Sequence, residues 1–193
     1  MRKSCLFRNQ EPPLQAALSG IFILAVLLLT AVPSACRSDE IRFEQLSIEE
    51  GLSQSIVLCI TQDQDGFMWF GTEDGLNKYD GYEFSVVRHD PENANSLAVN
   101  LVTSLCAGRD GYLWIGMFMG GVDRLNPVTG EFRHFRHNPS DSSTLSHDNV
   151  LAIYEDSGGD IWVGTTNGLN RLNRETGEFV RYYHDPGDPN SLC

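Results

Sequence analysis

The chain has 193 residues, of which 41% are hydrophobic and 21% are charged, a composition typical of a protein with a packed core. Its formal net charge is −12 at pH 7. Nucleic acids and anionic membrane surfaces repel an acidic protein, so the charge argues against both as partners.

The first 36 residues (1–36) predict a targeting segment. Three basic residues precede the apolar run IFILAVLLLTAV, and the small residues PSAC follow it. This order is typical of a secretory signal peptide that is cleaved on export. An uncleaved membrane anchor is the alternative, because residues 14–32 approach the length that crosses a bilayer. Lipidation at Cys36 is disfavoured, since Pro33 stands where a lipoprotein signal usually has leucine.

Residues 37–50 predict a leading strand and the approach to the first repeat. Segment 41–46 is similar to the last strand of the repeat described next, and Gly-Leu-Ser follows it from Gly51. We expect this strand to complete the sheet of a final repeat and close a ring, which removes exposed strand edges.

A repeat with a period near 45 residues occupies the rest of the chain. Trp69, Trp114 and Trp162 lie 45 and 48 residues apart. One set of glycines lies two residues after the tryptophans and a second set marks the next turn: Gly71, Gly116 and Gly164, then Gly75, Gly121 and Gly168. The pattern predicts repeats at 51–96, 97–144 and 145–191, with 192–193 starting a fourth. Such a period, punctuated by glycine and aromatic residues, indicates a propeller or another repeat array.

Each repeat predicts four short antiparallel strands and no helix. In the first repeat we expect strands at 55–61, 67–72, 76–79 and 82–88, separated by glycine-containing turns. Four-stranded sheets repeated at this period are the blades of a β-propeller. The predicted fold is therefore all-β: a partial β-propeller of about three four-stranded blades plus a leading closing strand, after an N-terminal signal or anchor helix.

The Trp-x-Gly phrase at the centre of each repeat is interpreted as packing between blades. Gly75 and Gly168 occupy hairpin turns that need a positive φ. Gly71 lies inside a predicted strand, where glycine often marks the close approach of another backbone. The tryptophan two residues earlier points to the same face and would cover that gap against the next blade.

The number of repeats predicts that the chain is part of a longer protein. Propellers typically have about four to eight blades, and each repeat buries its apolar face only against its neighbours. We therefore expect an N-terminal piece of a longer array. A self-sufficient three-blade protein, or several copies assembled into one ring, are the less favoured alternatives.

Two repeats resemble the two-component regulator propeller repeat: GLSQSIVLCITQDQDGFMWFGTEDGLNKYDGYEF and LSHDNVLAIYEDSGGDIWVGTTNGLNRLNRETGEF. The leading FEQLSIEEGLS resembles the usual opening of such proteins, so the resemblance covers about residues 41–193. It implies a periplasmic propeller that senses carbohydrate breakdown products and is attached to the inner membrane in the full-length protein. It also implies dimerisation and a cytoplasmic output domain, usually a histidine kinase of a phosphorelay and less often a diguanylate cyclase.

The chain itself shows no sequence signature of an output domain: no phospho-accepting histidine in a helical pattern, no ATP-binding glycine boxes and no receiver aspartate pocket. The residues present are therefore expected to bind a small molecule or oligosaccharide without catalytic residues, metal or cofactor of their own. A secreted propeller lyase or glycosidase is the alternative. It would need acidic, His or Tyr side chains converging outside the repeat pattern, and the Asp-box of sialidase propellers would need aspartate where Gln64 and Ser157 stand.

Histidine recurs in the linkers that follow the repeats, at His89, His137 and His184. Each lacks a second ligand at metal spacing, and neighbouring blades would hold them far apart, which favours a turn role over metal binding. Cys59 and Cys106 lie in apolar runs and are interpreted as free buried thiols, with a disulfide between them as the alternative.

The second repeat departs from the others after its Trp-x-Gly phrase, where it has MFMGG in place of TEDG and TTNG. We expect Met117, Phe118 and Met119 to form an exposed loop that contacts a ligand or partner, because loops at a propeller face often carry function. Packing beneath a neighbouring loop is the alternative.

Overall fold

The structure, a computed structural model, describes residues 45–192. The targeting segment predicted at 1–36 and most of the strand predicted at 41–46 lie outside the described residues, and Gln45 and Leu46 belong to no strand. One turn of 3₁₀ helix, Ile48–Glu50, precedes the first sheet. The sequence pattern did not predict this turn, which is stabilised by a capping box in which the Ser47 backbone N–H donates to the Glu50 carboxylate at 2.7 Å.

The remaining elements of the described chain are twelve short strands. They are β1 (Val57–Gln62), β2 (Met68–Thr72), β3 (Gly75–Tyr79), β4 (Phe84–Val87), β5 (Val102–Ala107), β6 (Leu113–Met117), β7 (Gly121–Leu125), β8 (Phe132–Phe135), β9 (Val150–Glu155), β10 (Ile161–Thr165), β11 (Gly168–Leu172) and β12 (Phe179–Tyr182). Consecutive strands pair antiparallel to form three four-stranded sheets, β1–β4, β5–β8 and β9–β12, here called blades 1, 2 and 3. The predicted all-β propeller class is confirmed.

The hairpin between the second and third strands of each blade depends on a glycine with a left-handed backbone. Gly75 and Gly168 both have φ of 111° and end two-residue loops. In blade 2, Gly121 pairs with Met117 across a three-residue loop, because the repeat carries one extra residue there. This loop is the main departure of blade 2 from its neighbours.

The hydrophobic core lies between the blades, and blade 2 lies between blades 1 and 3. The cluster between blades 1 and 2 contains Trp69, Leu76, Leu97, Val102, Leu113, Ile115, Met117 and Leu125. The cluster between blades 2 and 3 contains Trp114, Val122, Phe135, Leu145, Val150, Ile153, Ile161, Val163, Leu172 and Phe179. A blade therefore buries its apolar side chains mainly against its neighbours, as repeat architectures do.

Two of the three glycines in the Trp-x-Gly phrases lie where a neighbouring blade comes very close. A β-carbon added at Gly71 would lie 2.5 Å from Val102 Cγ1, and one added at Gly116 would lie 2.5 Å from Val150 Cγ1. Both distances are well inside van der Waals contact, so a larger residue would force the blades apart. At Gly164 an added β-carbon would meet only Ala152 of the same blade, at 3.9 Å.

The linkers before blades 2 and 3 run along the outer edge of the blade that follows them. The Phe132 backbone N–H of β8 donates to Asn95 Oδ1 at 2.8 Å, and the Phe179 N–H of β12 donates to the Ser143 carbonyl at 2.6 Å. These bonds give partners to the outermost strands of blades 2 and 3, whose edges would otherwise be open to pairing with another chain.

The three linker histidines close the linkers on themselves. In each case the ring Nδ1 lies 2.5–2.6 Å from the carbonyl oxygen of the leucine eight residues later: His89 with Leu97, His137 with Leu145, and His184 with Leu192. This is the turn role that the sequence favours, because the imidazole replaces a backbone donor in a compact loop.

Candidate functional site

The loop between β6 and β7 carries two of the three predicted contact residues at the surface. Phe118 is 40% exposed and Met119 is 71% exposed. Met117, in contrast, ends β6 with no exposed surface. The expectation that all three side chains are exposed is therefore wrong for Met117, which belongs to the core between blades 1 and 2.

The backbone of this loop is anchored on both sides. The Phe118 N–H donates to the Leu101 carbonyl at 3.1 Å, and the Met119 N–H donates to Asn149 Oδ1 at 2.9 Å. Met119 has φ of 62° and is the one residue other than glycine with a positive φ in the described chain. Such a conformation costs free energy for a side-chain-bearing residue and persists only when its surroundings impose it. The loop thus holds two apolar side chains outward on a fixed backbone.

Beneath the loop, blade 2 keeps only part of a polar network that blades 1 and 3 share. In blade 1, Thr72 Oγ1 lies 2.8 Å from Ser53 Oγ, and Asn77 Oδ1 accepts the Ser53 N–H at 2.8 Å. Blade 3 repeats both bonds at the same distances through Ser146, Thr165 and Asn170. In blade 2 the corresponding residues are Ala98, Met117 and Asp123. Met117 stands at the position of the threonine and is fully buried in the core between blades 1 and 2.

Asp123 introduces a carboxylate into this buried position. Its Oδ2 accepts the Ala98 N–H at 2.9 Å, its Oδ1 lies 2.7 Å from His134 Nδ1, and the Arg136 guanidinium is 3.7 Å away. Burial raises the pKa of the Asp123 carboxyl, while the bonds from His134 and Ala98 oppose the rise. Our sequence interpretation did not single out Asp123, although an aspartate where the other repeats have asparagine was a visible signal.

Next to this group, a shallow depression of about 270 Å³ separates the linker 88–101 from the outer strand of blade 2. Its lining includes His89, Asp90, Ser96, His134 and Arg136. Arg136 lines this depression and lies 3.7 Å from Asp123, whereas the equivalent Arg88 of blade 1 pairs with Asp74 of its own hairpin loop.

Two of the tryptophans have a partner that the sequence interpretation also missed. The Trp69 indole N–H donates to Asp63 Oδ2 at 2.7 Å, and the Trp162 N–H donates to Asp156 Oδ2 at 2.8 Å. The bond from Trp162 holds the pKa of the Asp156 carboxyl below its usual range. The signal was an aspartate six residues before each of these tryptophans.

Blade 2 has glycine instead, at Gly108, and the buried Trp114 Nε1 has no hydrogen-bond partner in the structure. Of the three tryptophans, Trp114 is the most deeply buried, at 1% exposure. The Trp–Asp bond therefore gives the indole N–H an acceptor in blades 1 and 3, and blade 2 has no such bond.

The two cysteines of the described chain are both free. Cys59 packs against the core between blades 1 and 2, and Cys106 packs against the core between blades 2 and 3. Burial raises the pKa of the Cys59 thiol to about 11 and also raises that of Cys106. Both thiols are therefore protonated near neutral pH, which makes them poor nucleophiles.

A charged cluster crosses the boundary between blades 2 and 3, at the opposite end of the strands from the Met119 loop. Arg174 pairs with Asp110 at 2.9 Å and with Glu155 at 2.7 Å. The backbone N–H of Arg109 donates to the second oxygen of Glu155 at 2.8 Å. Every charge in this cluster has a partner, so we assign it to holding the blades together.

Comparison with known proteins identifies the repeats. The sequence profile of the two component regulator propeller matches residues 51–74, 96–118 and 144–167, once in each blade. The repeats belong to the two component regulator propeller family. Each matched segment covers the first strand of its blade and the second strand, which carries the Trp-x-Gly phrase, and extends into the hairpin loop that follows. The family signature therefore coincides with the packing surfaces between blades.

Two solved structures and one protein of known sequence are similar to this chain. The extracellular domain assigned to the hybrid two component system BT3049 of B. thetaiotaomicron is 33% identical, with a TM-score of 0.69 over 72% of this chain. The extracellular domain assigned to the one component system BT4673 of the same species is 25% identical, with a TM-score of 0.59 over 74% of this chain. Histidine kinase P4 of Formosa agariphila is 37% identical over 79 residues, which are 41% of this chain.

The chain spans a small part of each relative. It covers 20% and 18% of the two solved chains and 6% of the kinase. Within residues 45–192, no helix has the length and hydrophobicity needed to span a bilayer. The chain is thus a propeller segment similar to the sensor regions of two-component systems.

Proposed function

We propose that this chain is part of an extracytoplasmic, ligand-sensing propeller of a bacterial two-component receptor. The proposal depends on one combined observation. Three segments match the two component regulator propeller, and the chain is 33% identical to the extracellular domain assigned to a hybrid two component system. The N-terminal targeting pattern supports export to the periplasm. The full-length protein would be attached to the inner membrane and would act as a dimer.

The residues present would contribute binding and no catalysis. The two half-buried thiols are protonated, and the carboxylates of the inter-blade clusters are engaged by arginines, histidine or backbone donors. The output would come from another part of the protein, as a histidine kinase of a phosphorelay. A diguanylate cyclase output, or a secreted lyase or glycosidase, are the alternatives.

The contact surface that we propose is the Met119 loop. The loop backbone at Phe118 and Met119 is held by hydrogen bonds to the entrance of its own blade, at Leu101, and to the entrance of blade 3, at Asn149. Neither of the other two described blades has a three-residue loop at this position. A rigid apolar surface binds with little loss of conformational entropy, which suits the apolar face of a sugar ring or a small organic ligand.

The test is a thermal-shift screen of the full extracytoplasmic region against a panel of oligosaccharides. We expect at least one ligand to raise the melting temperature, because a ligand that binds only the folded state stabilises it by mass action. The double variant Phe118→Ser/Met119→Ser should reduce that shift. The matched control is Tyr82→Ser, which removes an aromatic ring that is 94% exposed at a different turn.

Three outcomes separate the alternatives. No shift with any oligosaccharide would count against carbohydrate sensing. An equal thermal shift in the loop variant and in the control would support ligand sensing but would exclude the Met119 loop as the ligand-contacting surface. Release of shortened sugars during incubation would favour the lyase or glycosidase.

A further inference from the structure

The three blades carry a basic side chain at the same position of their third strands, and its surroundings differ. The basic residues each lie opposite the tryptophan of their blade: Lys78, Arg124 and Arg171. The residue two positions before that tryptophan approaches the basic group, and it is Phe67 in blade 1, Tyr112 in blade 2 and Asp160 in blade 3. The basic group therefore meets an aromatic ring in two blades and a carboxylate in the third.

Blade 3 shows that a carboxylate fits against an arginine at this position. Arg171 NH1 lies 3.7 Å from Asp160 Oδ2. In blade 1 the cation is a lysine, and Lys78 Nζ lies 3.6 Å from the centroid of the Phe67 ring. Guanidinium groups match carboxylates better than ammonium groups do, because their planar N–H donors can engage both oxygens. The carboxylate that suits this arginine position comes from the chain itself in blade 3.

Blade 2 supplies no carboxylate for the equivalent Arg124. Its guanidinium carbon lies 4.3 Å from the centroid of the Tyr112 ring, and within residues 45–192 the group forms no ion pair. Its Nε is buried and has no hydrogen-bond partner in the same part of the chain. A buried donor on a charged group is costly to leave unpaired, so an acceptor that reached Arg124 would be bound favourably.

A depression of about 280 Å³ adjoins Arg124 and the Tyr112 ring, and its other lining residues include Asn126, Glu131 and Arg133. Arg133 of β8 lies directly opposite Arg124 of β7. Two like charges at such a pair are unfavourable, and an anion bound near them would relieve the repulsion. The Asn126 side-chain oxygen accepts two backbone N–H groups of its own turn, which leaves its NH2 group as a further donor.

Glu131 is the one carboxylate in the lining of this depression. It is exposed, and its Oε2 accepts a hydrogen bond from the Thr129 hydroxyl at 3.3 Å and forms no ion pair with either arginine. Two arginines against one glutamate leave the lining with a formal charge of +1, whereas the whole chain carries −12. The depression is therefore a place where an anion is attracted to an otherwise acidic protein.

We propose that Arg124 binds the carboxylate of a small anionic ligand, an organic acid or a sugar acid, in the depression beside Tyr112. The ligand supplies to Arg124 what Asp160 supplies to Arg171 in blade 3. Arg124 lies near the end of β7 that is remote from the Met119 loop, so this site is separate from that contact surface.

The test is a titration of the full chain followed by ¹H–¹⁵N NMR, with sodium acetate, sodium glucuronate or glucose added while sodium chloride holds the ionic strength constant. We expect the Arg124 Nε–H signal to shift saturably with a carboxylate and not with glucose. A shift with both acids identifies the carboxylate alone as the group that binds, and a shift with glucuronate alone identifies a sugar acid. No saturable shift with either acid, or an equal shift with glucose, would overturn the proposal.

The matched variant is Tyr112→Asp, which gives blade 2 the internal carboxylate of blade 3. That carboxylate competes for Arg124, so the affinity for the acid should fall about tenfold, the loss expected for one hydrogen bond to a charged group. The control is Phe67→Asp, which makes the equivalent change in blade 1 and should leave the affinity unchanged. Equal losses in the two variants, or no loss in Tyr112→Asp, would contradict the proposal.

Two further variants locate the binding group. Arg124→Lys keeps the charge with the side chain that blade 1 uses but removes the planar donors, and amide signals of residues 124–126 should report an affinity about tenfold lower. An affinity equal to that of the unchanged chain would count against the guanidinium as the binding group. The loop variant Phe118→Ser/Met119→Ser should keep its affinity for the acid even where it loses the response to oligosaccharides, which separates the two sites.

Discussion

Blades 2 and 3 are built from the same repeat but differ in what surrounds them. Blade 2 packs against a neighbour on both sides, and its Trp114 is 1% exposed. The equivalent Trp162 of blade 3 is only half-buried, and no atom of another blade lies within 4 Å of a β-carbon added at Gly164. Within residues 45–192, the Trp-x-Gly phrase of blade 2 is packed against a neighbouring blade and that of blade 3 is not, because packing between repeats depends on both members of a pair.

We expect the largest change in the free energy of unfolding from placing a side chain at the two glycine positions. Gly116→Val places a side chain against Val150 and should lower the free energy of unfolding by about 2–3 kcal/mol, the cost of overpacking a close contact. Gly164→Val meets open space and should change it by less than about 0.5 kcal/mol. Urea denaturation of the two variants of this chain measures both values. Equal losses of stability in the two variants would mean that glycine is needed for its backbone conformation and not for the close approach of the neighbouring blade.

The Trp–Asp bond gives a test of intermediate size. Asp63→Ala leaves the buried Trp69 N–H without an acceptor and should cost about 1–2 kcal/mol. Asp156→Ala should cost less, because water can reach the half-buried Trp162 and replace the lost bond. The same denaturation experiment checks this order, and a larger loss for Asp156→Ala would contradict the role of burial.

The smallest expected effect concerns the arginine that follows the last strand of each of the first two blades. Arg88 pairs with Asp74 at 3.0 Å, with both side chains more than 40% exposed. Asp74→Ala should therefore cost no more than about 1 kcal/mol, and less at high salt. Thermal unfolding at low and high salt measures this cost. Blade 2 has no such aspartate and folds with Arg136 turned toward Asp123, so a large loss in blade 1 would be unexpected.

Much of the fold could be predicted from local patterns. Strand β2 is a short run of apolar and aromatic residues, and Asp65-Gly66 and Gly75 mark turns on either side of it, so its position was predicted to within one residue. The one-turn helix at Ile48–Glu50 was missed, because three residues are too few to show a helical period. The leading strand and the repeat boundaries stay predictions.

The candidate site was less predictable. Phe118 and Met119 could be selected because they interrupt a repeat, but the same argument wrongly included Met117, which occupies the place of a threonine hydroxyl. Asp123 and His134 lie eleven residues apart on different strands, and only the register of β7 with β8 brings them together. The alternation of apolar residues along one strand does not show which residue of the neighbouring strand lies opposite a given position.

The sequence by itself determined the strands, the turns and their repetition, because alternating apolar residues and glycine turns act over a few neighbouring residues. Tertiary structure alone decided which tryptophans are buried, which glycines have no room for a side chain and where a histidine meets a carboxylate. These properties depend on the distance between surfaces that are about 45 residues apart in the chain, and that distance is set by the packing of one blade on the next.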